Sequence, residues 1–197
     1  MRKLIGITGF ARSGKDTFFK RCEHYLSQEG KVAKRFAFAD ALKLEVDSLL
    51  SEHTGISAFT EKDSEKEMIR PLLVTYGTDI RRALNPNCWI EKIQPNVIKA
   101  LSNNEYVFIT DVRYANEAQW IQMNNGLVIN IRRHEVGPAN HEEHRQSVRM
   151  KKHIAFNLDW PTFGENDLHL CDEYVVPALK AFLNNMVDTK PSFEEVA

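Results

Sequence analysis

The stretch Gly9-Phe10-Ala11-Arg12-Ser13-Gly14-Lys15-Asp16-Thr17 constrains this chain more than any other. A short apolar run, Leu4-Ile5-Gly6-Ile7-Thr8, precedes it, and Phe18, Phe19, Cys22 and Leu26 follow at helical spacing. The order is strand, glycine-rich turn, helix, with the pattern G-x-x-x-x-G-K inside the turn. Glycines let the backbone curl until successive N–H groups point inward, and the helix N-terminus adds partial positive charge. Such a concavity suits phosphate oxygens, and Lys15 is placed to reach the β- and γ-phosphates of a nucleoside triphosphate. Ala11, Arg12, Ser13, Gly14, Lys15, Asp16 and Thr17 are therefore the candidate residues for binding a nucleoside triphosphate.

The chain has 197 residues, a length that holds one α/β domain with inserted segments. Lys plus Arg number 26 and Asp plus Glu 27, and the resulting net charge of −1 argues against a general nucleic-acid coat. Cys22, Cys88 and Cys171 are far apart and odd in number, so they read as small buried apolar residues suited to a reducing cytosol. The first apolar run is too short for a signal peptide, and no stretch approaches the ~20 apolar residues of a membrane span. A soluble, cytoplasmic protein is expected, with neither membrane nor nucleic acid as partner.

Further along, Val32 to Phe38 alternates as a second strand, and Leu42, Val46, Leu49 and Leu50 space a helix. Tyr106 to Thr110 and Leu127 to Ile131 are unbroken apolar runs, as strands buried on both faces require. The last strand is either Ile154-Ala155-Phe156 or Leu168-His169-Leu170, with a turn over Trp160 to Gly164. Val175 to Met186 reads as a closing helix and 188–197 as a frayed tail. These elements predict an α/β, three-layer P-loop NTPase fold: a parallel sheet of about five strands flanked by helices, in a single domain over 1–197.

Two segments interrupt that rhythm. Residues 44–104 read as a helical insertion that holds a second substrate at the carboxyl edge of the sheet. Within it Thr60 to Glu67 is charged and solvated, Pro71 opens a helix carrying Leu72, Leu73, Tyr76 and Ile80, and Pro95 kinks another through Trp89 and Val97. Residues 132–153 are dense in Arg132, Arg133, Arg145, Arg149, Lys151 and Lys152. They read either as a solvated loop and helix or as a lid whose arginines close over phosphates. His141 and His144 lack the i, i+4 spacing of a zinc motif.

Phosphoryl transfer needs a triphosphate cradle, a bound Mg²⁺, and cations that hold donor and acceptor phosphates in line. Lys43, Arg70, Arg81, Arg82 and Arg113 are available for the last of these. At this point Arg12 to Thr17, Ala39-Asp40-Ala41-Leu42-Lys43, Tyr76-Gly77-Thr78-Asp79 followed by Trp89, and Thr110-Asp111-Val112-Arg113 with Glu117 form a set. Together they resemble bacteriophage deoxynucleoside monophosphate kinases over roughly the first two-thirds of the chain. The resemblance implies transfer of the γ-phosphate of ATP, with Mg²⁺, to a deoxynucleoside monophosphate. It implies catalytic roles for Arg12, Lys15, Asp16 and Arg113. Leu42 and Lys43 would border the acceptor pocket and Arg70 would hold the acceptor's phosphate. Gly77, Thr78, Asp79 and Trp89 would shape the base and sugar site, and Asp111, Arg113 and Glu117 would complete it. A kinase of another small phosphorylated acceptor, such as dephospho-coenzyme A or phosphomevalonate, and a P-loop ATPase motor or switch are the alternatives. Small-molecule nucleotides are the expected partners, and a homodimer stays open.

Asp16 stands where most such loops place a Mg²⁺-ligating hydroxyl, so Asp16 and Thr17 are the candidate metal residues. Asp16 either holds Mg²⁺, directly or through water, or assists the acceptor phosphate, with the Thr17 hydroxyl nearby. Asp111 has a second reading as a Mg²⁺ partner at the end of an apolar strand. The Asp16→Asn variant is expected to lower turnover at least tenfold, the scale of one lost charge-assisted contact, and to shift the Mg²⁺ titration. Unchanged turnover and unchanged Mg²⁺ dependence would remove Asp16 from the metal set.

Overall fold

Two apolar faces on each central strand force helices onto both sides of the sheet. In the computed structural model, which describes residues 2–138 and 141–183, five strands run parallel: β1 (Leu4–Thr8), β2 (Ala33–Phe36), β3 (Tyr106–Ile109), β4 (Leu127–Arg133) and β5 (Ile154–Trp160). Their order is β2-β3-β1-β4-β5. Alternate side chains leave opposite faces. Ile5, Ile7, Phe108 and Ile129 pack with Phe18, Phe19 and Leu26 of α1 (Lys15–Gln28) and with Val175, Leu179 and Phe182 of the last helix. Leu4, Val107, Ile109 and Val128 form the other face, against Ile90, Ile93 and Val97 of one helix and Ala118 and Ile121 of another. This is the α/β P-loop fold.

Strands are added on one side of β1 first and then on the other, so the chain switches direction beside β1. The turns that leave β1, β3 and β4 meet at the carboxyl edge there, where open α/β sheets bind ligands. Between β2 and β3 lie α2 (Phe38–Thr54), α3 (Asp63–Val74), a π-helix (Thr75–Arg82) and α4 (Cys88–Ser102). α4 covers the sheet, whereas α2 and α3 meet in a small core of their own around Val46, Leu50, Ala58 and Ile69. α5 (Ala115–Met123) joins β3 to β4, α6 (His141–Met150) stands between β4 and β5, and α7 (Asp172–Leu183) closes the described chain. The tail expected over 188–197 and the end of the expected helix, to Met186, lie outside the described residues.

Three expectations change. The second strand stops at Phe36 and a helix starts at Phe38, because the Asp111 carboxylate, distant in sequence, accepts hydrogen bonds from the Phe38 and Ala39 amides at 2.8 and 2.7 Å. Pro71 does not open a helix but sits inside α3, whose first turn carries Asp63 and Glu65. A proline there has no N–H for the Glu67 carbonyl, and the chain soon widens into the π-helix, a form frequent at functional sites. Of the two candidate last strands the chain uses Ile154 onward, extends it to Trp160, and folds Glu165–Cys171 as a 3₁₀ helix.

All three cysteines are buried and unpaired. Among the described residues no helix is long and apolar enough to cross a membrane. Gly126, before β4, has no room for a side chain: a Cβ there would lie 2.6 Å from Ile121 Cγ2 and 2.8 Å from the carbonyl oxygens of Ile121 and Leu4. Two of those neighbours are backbone, so Gly126→Ala is expected to destabilise the fold by roughly 1–3 kcal/mol. A lowered urea midpoint at unchanged m-value would show it.

Candidate active site

The turn from β1 into α1 bends through positive φ at Gly9 (143°), Arg12 (64°) and Gly14 (94°). Space demands both glycines as well. A Cβ on Gly9 would come within 2.4 Å of the Ile131 carbonyl, and one on Gly14 within 2.4 Å of Trp160 Cζ2. A turn whose amides converge on a ligand must send its carbonyls outward, where each needs a donor. Trp160 Nε1 donates to Ser13 O at 2.8 Å, Arg133 Nη1 to Arg12 O at 3.4 Å, and Lys15 Nζ to Gly9 O and Phe10 O at 2.9 and 2.7 Å. Burial lowers the Lys15 pKa, helped by the charge of Arg113; Asp16, Glu143 and Asp111 pull it back.

One amide of this turn holds a carboxylate. Ala11 N donates to Glu143 Oε1 at 3.1 Å, so a glutamate of α6 sits at a position suited to a phosphate oxygen. Asp16 is exposed, with Oδ1 3.7 Å from Arg35 Nε, and Thr17 is half-buried. Among the described residues no group of three or more His, Cys, Asp or Glu converges as a ready-made metal site. That donor set fits Mg²⁺ as this ion is commonly held: one or two protein groups, with phosphate oxygens and water completing the shell. Asp16 and Thr17 are the residues that would hold it.

A cavity of about 380 Å³ lies between α2, α3, the π-helix and the turn after β3. Leu42, Lys43, Arg70, Gly77, Thr78, Trp89, Asp111, Arg113 and Glu117 all line it, so it gathers every expected acceptor residue except Asp79. Asp79 lines instead a larger cleft, about 1180 Å³, that runs from Gly9, Phe10 and Ala11 to α6 and β5. Arg70, Thr78 and Arg113 belong to both walls.

Several of these residues build the wall by holding other groups. Trp89 is 2% exposed and donates from Nε1 to the Gly77 carbonyl at 3.2 Å. Gly77 lets α2 approach, since a Cβ there would meet Leu42 Cδ2 at 2.8 Å. Glu117, 1% exposed, accepts from the amides of Arg113 and Tyr114 at 2.8 and 3.0 Å and pairs with Arg82. The Arg82 guanidinium also lies 4.0 Å from the centre of the Tyr114 ring. Burial pushes the Asp111 and Glu117 carboxyls above the usual range, against their amide donors and the nearby arginines.

Other arginines are engaged in ion pairs outside the smaller cavity. Arg81 binds Glu45 at 3.0 and 3.1 Å, a carboxylate shared with Lys92 and the Tyr76 hydroxyl. Arg132 pairs with Asp159 across β4 and β5. Arg145, which lines the larger cleft, pairs with Glu142 one turn back on α6. Trp160, Glu143 and Lys66, a further lining residue of the smaller cavity, were not among the expected site residues. Only their tertiary positions distinguish them.

Residues 18–148 match a family model described as deoxynucleotide monophosphate kinase. The match begins just past the loop Gly9–Thr17, so the loop and the family match are separate observations. A search of curated proteins returned no match. Among solved structures the chain is similar to a dephospho-CoA kinase from Campylobacter jejuni (14% identity, 92% of this chain and 97% of that one, TM-score 0.44). It is similar also to TT1252 from Thermus thermophilus (16%, 94% and 98%, TM-score 0.47) and to a shikimate kinase from Aquifex aeolicus vf5 (18%, 94% and 99%, TM-score 0.42). Likenesses of this size carry no argument about what the chain binds or does.

The Glu143 carboxylate on Ala11 N would compete with a phosphate for that amide and repel it by charge. Glu143→Gln keeps the side chain's shape and removes the charge. Its Kd for ADP, measured by calorimetry, is expected to fall roughly threefold to tenfold, as for loss of about 1 kcal/mol of opposition. An unchanged or weaker affinity would mean that Glu143 leaves the loop without competition.

Proposed function

This chain belongs to the deoxynucleotide monophosphate kinase family, and from that membership we propose that it transfers the γ-phosphate of ATP to a deoxynucleoside monophosphate, giving ADP and the deoxynucleoside diphosphate. The observation that carries the reading is the common wall of the two cavities, where Arg70, Thr78 and Arg113 line both. A phosphoryl group passing from donor to acceptor spreads charge over its equatorial oxygens. Arg70 and Arg113, both exposed, bring two guanidinium groups to that junction, where their charge offsets the charge that develops.

ATP takes the larger cleft, which the loop enters with Gly9, Phe10 and Ala11, and its phosphates extend onto the amides of Ala11 to Thr17 beside it. Lys15 then exchanges the carbonyls of Gly9 and Phe10 for β- and γ-phosphate oxygens, and Glu143 gives up Ala11 N. Mg²⁺, when bound by Asp16 and Thr17, neutralises part of the phosphate charge. The acceptor takes the smaller cavity, with Arg70 on its phosphate and Leu42, Lys43, Gly77 and Trp89 around its nucleoside. Asp111 acts through α2, whose first amides it holds, and Glu117 acts through Arg82 and the Arg113 turn. No general base is needed, because the acceptor is already an ionised phosphate. Reaction then rests on positioning and charge neutralisation.

A panel of deoxynucleoside and ribonucleoside monophosphates, each incubated with ATP and Mg²⁺ and followed by coupled ADP formation, tests this directly. Turnover with no deoxynucleotide would refute it. Arg70→Ala is expected to raise the acceptor KM roughly tenfold to hundredfold, as for one lost charge-assisted contact, and to lower kcat as well, because the same group faces the transferred phosphoryl, while the ATP KM moves by less than about threefold.

A further inference from the structure

Trp160 ends β5 and is 4% exposed. Its ring packs edge-on against Phe18, 6.3 Å away in α1, and against Phe163 at 6.0 Å. Two features set it apart from an ordinary core tryptophan. Its Nε1 donates to the Ser13 carbonyl at 2.8 Å, inside the phosphate-binding loop. Its six-membered ring also occupies the space a Cβ on Gly14 would need. The loop therefore rests on the indole at two consecutive residues, and Gly14 is at once the residue with φ 94° and the residue lying on the ring.

We infer that Trp160 is a positioning residue for nucleotide binding: it keeps the Ser13 carbonyl turned away from the ligand and so holds the loop in the form that accepts phosphate. The assignment rests on the reading of the loop as the ATP site. The accounting of carbonyls supports it. Of the outward carbonyls with described donors, that of Gly9 is held by Lys15 and that of Phe10 by Lys15 and, within the loop, by Ser13 N at 3.2 Å; phosphate draws Lys15 away. The bonds from outside the loop that can persist in the bound state are Arg133 to Arg12, long at 3.4 Å, and Trp160 to Ser13, shorter and buried. A loop without its anchor binds only during the fraction of time it is correctly formed, and its apparent affinity falls by that fraction.

The test uses the full chain with ADP, which needs no acceptor. Trp160→Phe keeps an aromatic ring against Phe18 and Phe163 and removes the N–H donor. Its Kd for ADP is expected to rise roughly fivefold to tenfold, a competent fraction of about 0.1–0.2; the ATP KM rises alike, and the acceptor KM stays within twofold. A role confined to core packing would lower Tm and the active fraction but leave the Kd of the folded protein unchanged, and that result would overturn the inference. In parallel, the chain labelled with 5-fluorotryptophan carries three fluorine reporters, at Trp89, Trp120 and Trp160. The Trp160 resonance is expected to move on saturation with ADP. ADP binding that leaves it in place would overturn the inference even if Trp160→Phe fails to fold. Absence of any ADP binding to the wild type would overturn the functional reading together with this one.

Discussion

A loop can turn its amides toward an anion only while its carbonyls find donors on the other side. That constraint governs the turn between β1 and α1. Trp160 from β5, Arg133 from β4 and Lys15 from α1 supply the donors. The loop is thus not a local object, although its sequence pattern is local. It is held from the ends of the two strands added on one side of β1, and the order of the sheet places those strand ends beside it. Gly9, Arg12 and Gly14 hold positive φ within it, a conformation that persists where surrounding contacts over-determine it.

The wall of the smaller cavity obeys a related logic with opposite charges. Two carboxylates, Asp111 and Glu117, collect backbone amides: those of Phe38 and Ala39 in one case, of Arg113 and Tyr114 in the other. α2 has no side-chain cap of its own at Ala37, so Asp111 supplies one from the end of β3. Glu117 also holds Arg82, which is 13% exposed on its side chain; breaking such a buried pair costs about 3–5 kcal/mol because the surviving charge is stranded. The cavity wall is therefore held by two buried carboxylates whose amide and arginine partners offset part of the cost of burying them.

What could be read from the sequence, and what could not, divides along this line. The β1 strand, the glycine turn and α1 were legible because each is a local pattern with a strong physical signature. The buried strands β3 and β4 were legible from unbroken apolar runs. The acceptor residues came from a resemblance, and the cavity assembled nearly all of them, with Asp79 displaced to the larger cleft. The start of α2 was missed because its cap comes from Asp111. Pro71 was misread because a helix-opening proline and a proline ahead of a π-helix look alike without tertiary context. Trp160 read as a turn residue because its partner, the Ser13 carbonyl, is a backbone atom far away in the chain. Glu143 was unremarkable among the many charges around it.

The shared wall of Arg70, Thr78 and Arg113 has a consequence for ligand design. Under the proposed assignment of the two cavities, which adjoin there, a single molecule carrying a nucleoside at each end of a polyphosphate chain would fill both. Its second half binds at an effective concentration set by the tether, of the order of millimolar when the span matches and near zero when it is too short. The strongest such binder is the one whose phosphate count equals the distance between the seats. A series differing only in that count would act as a molecular ruler for the gap the transferred group has to cross.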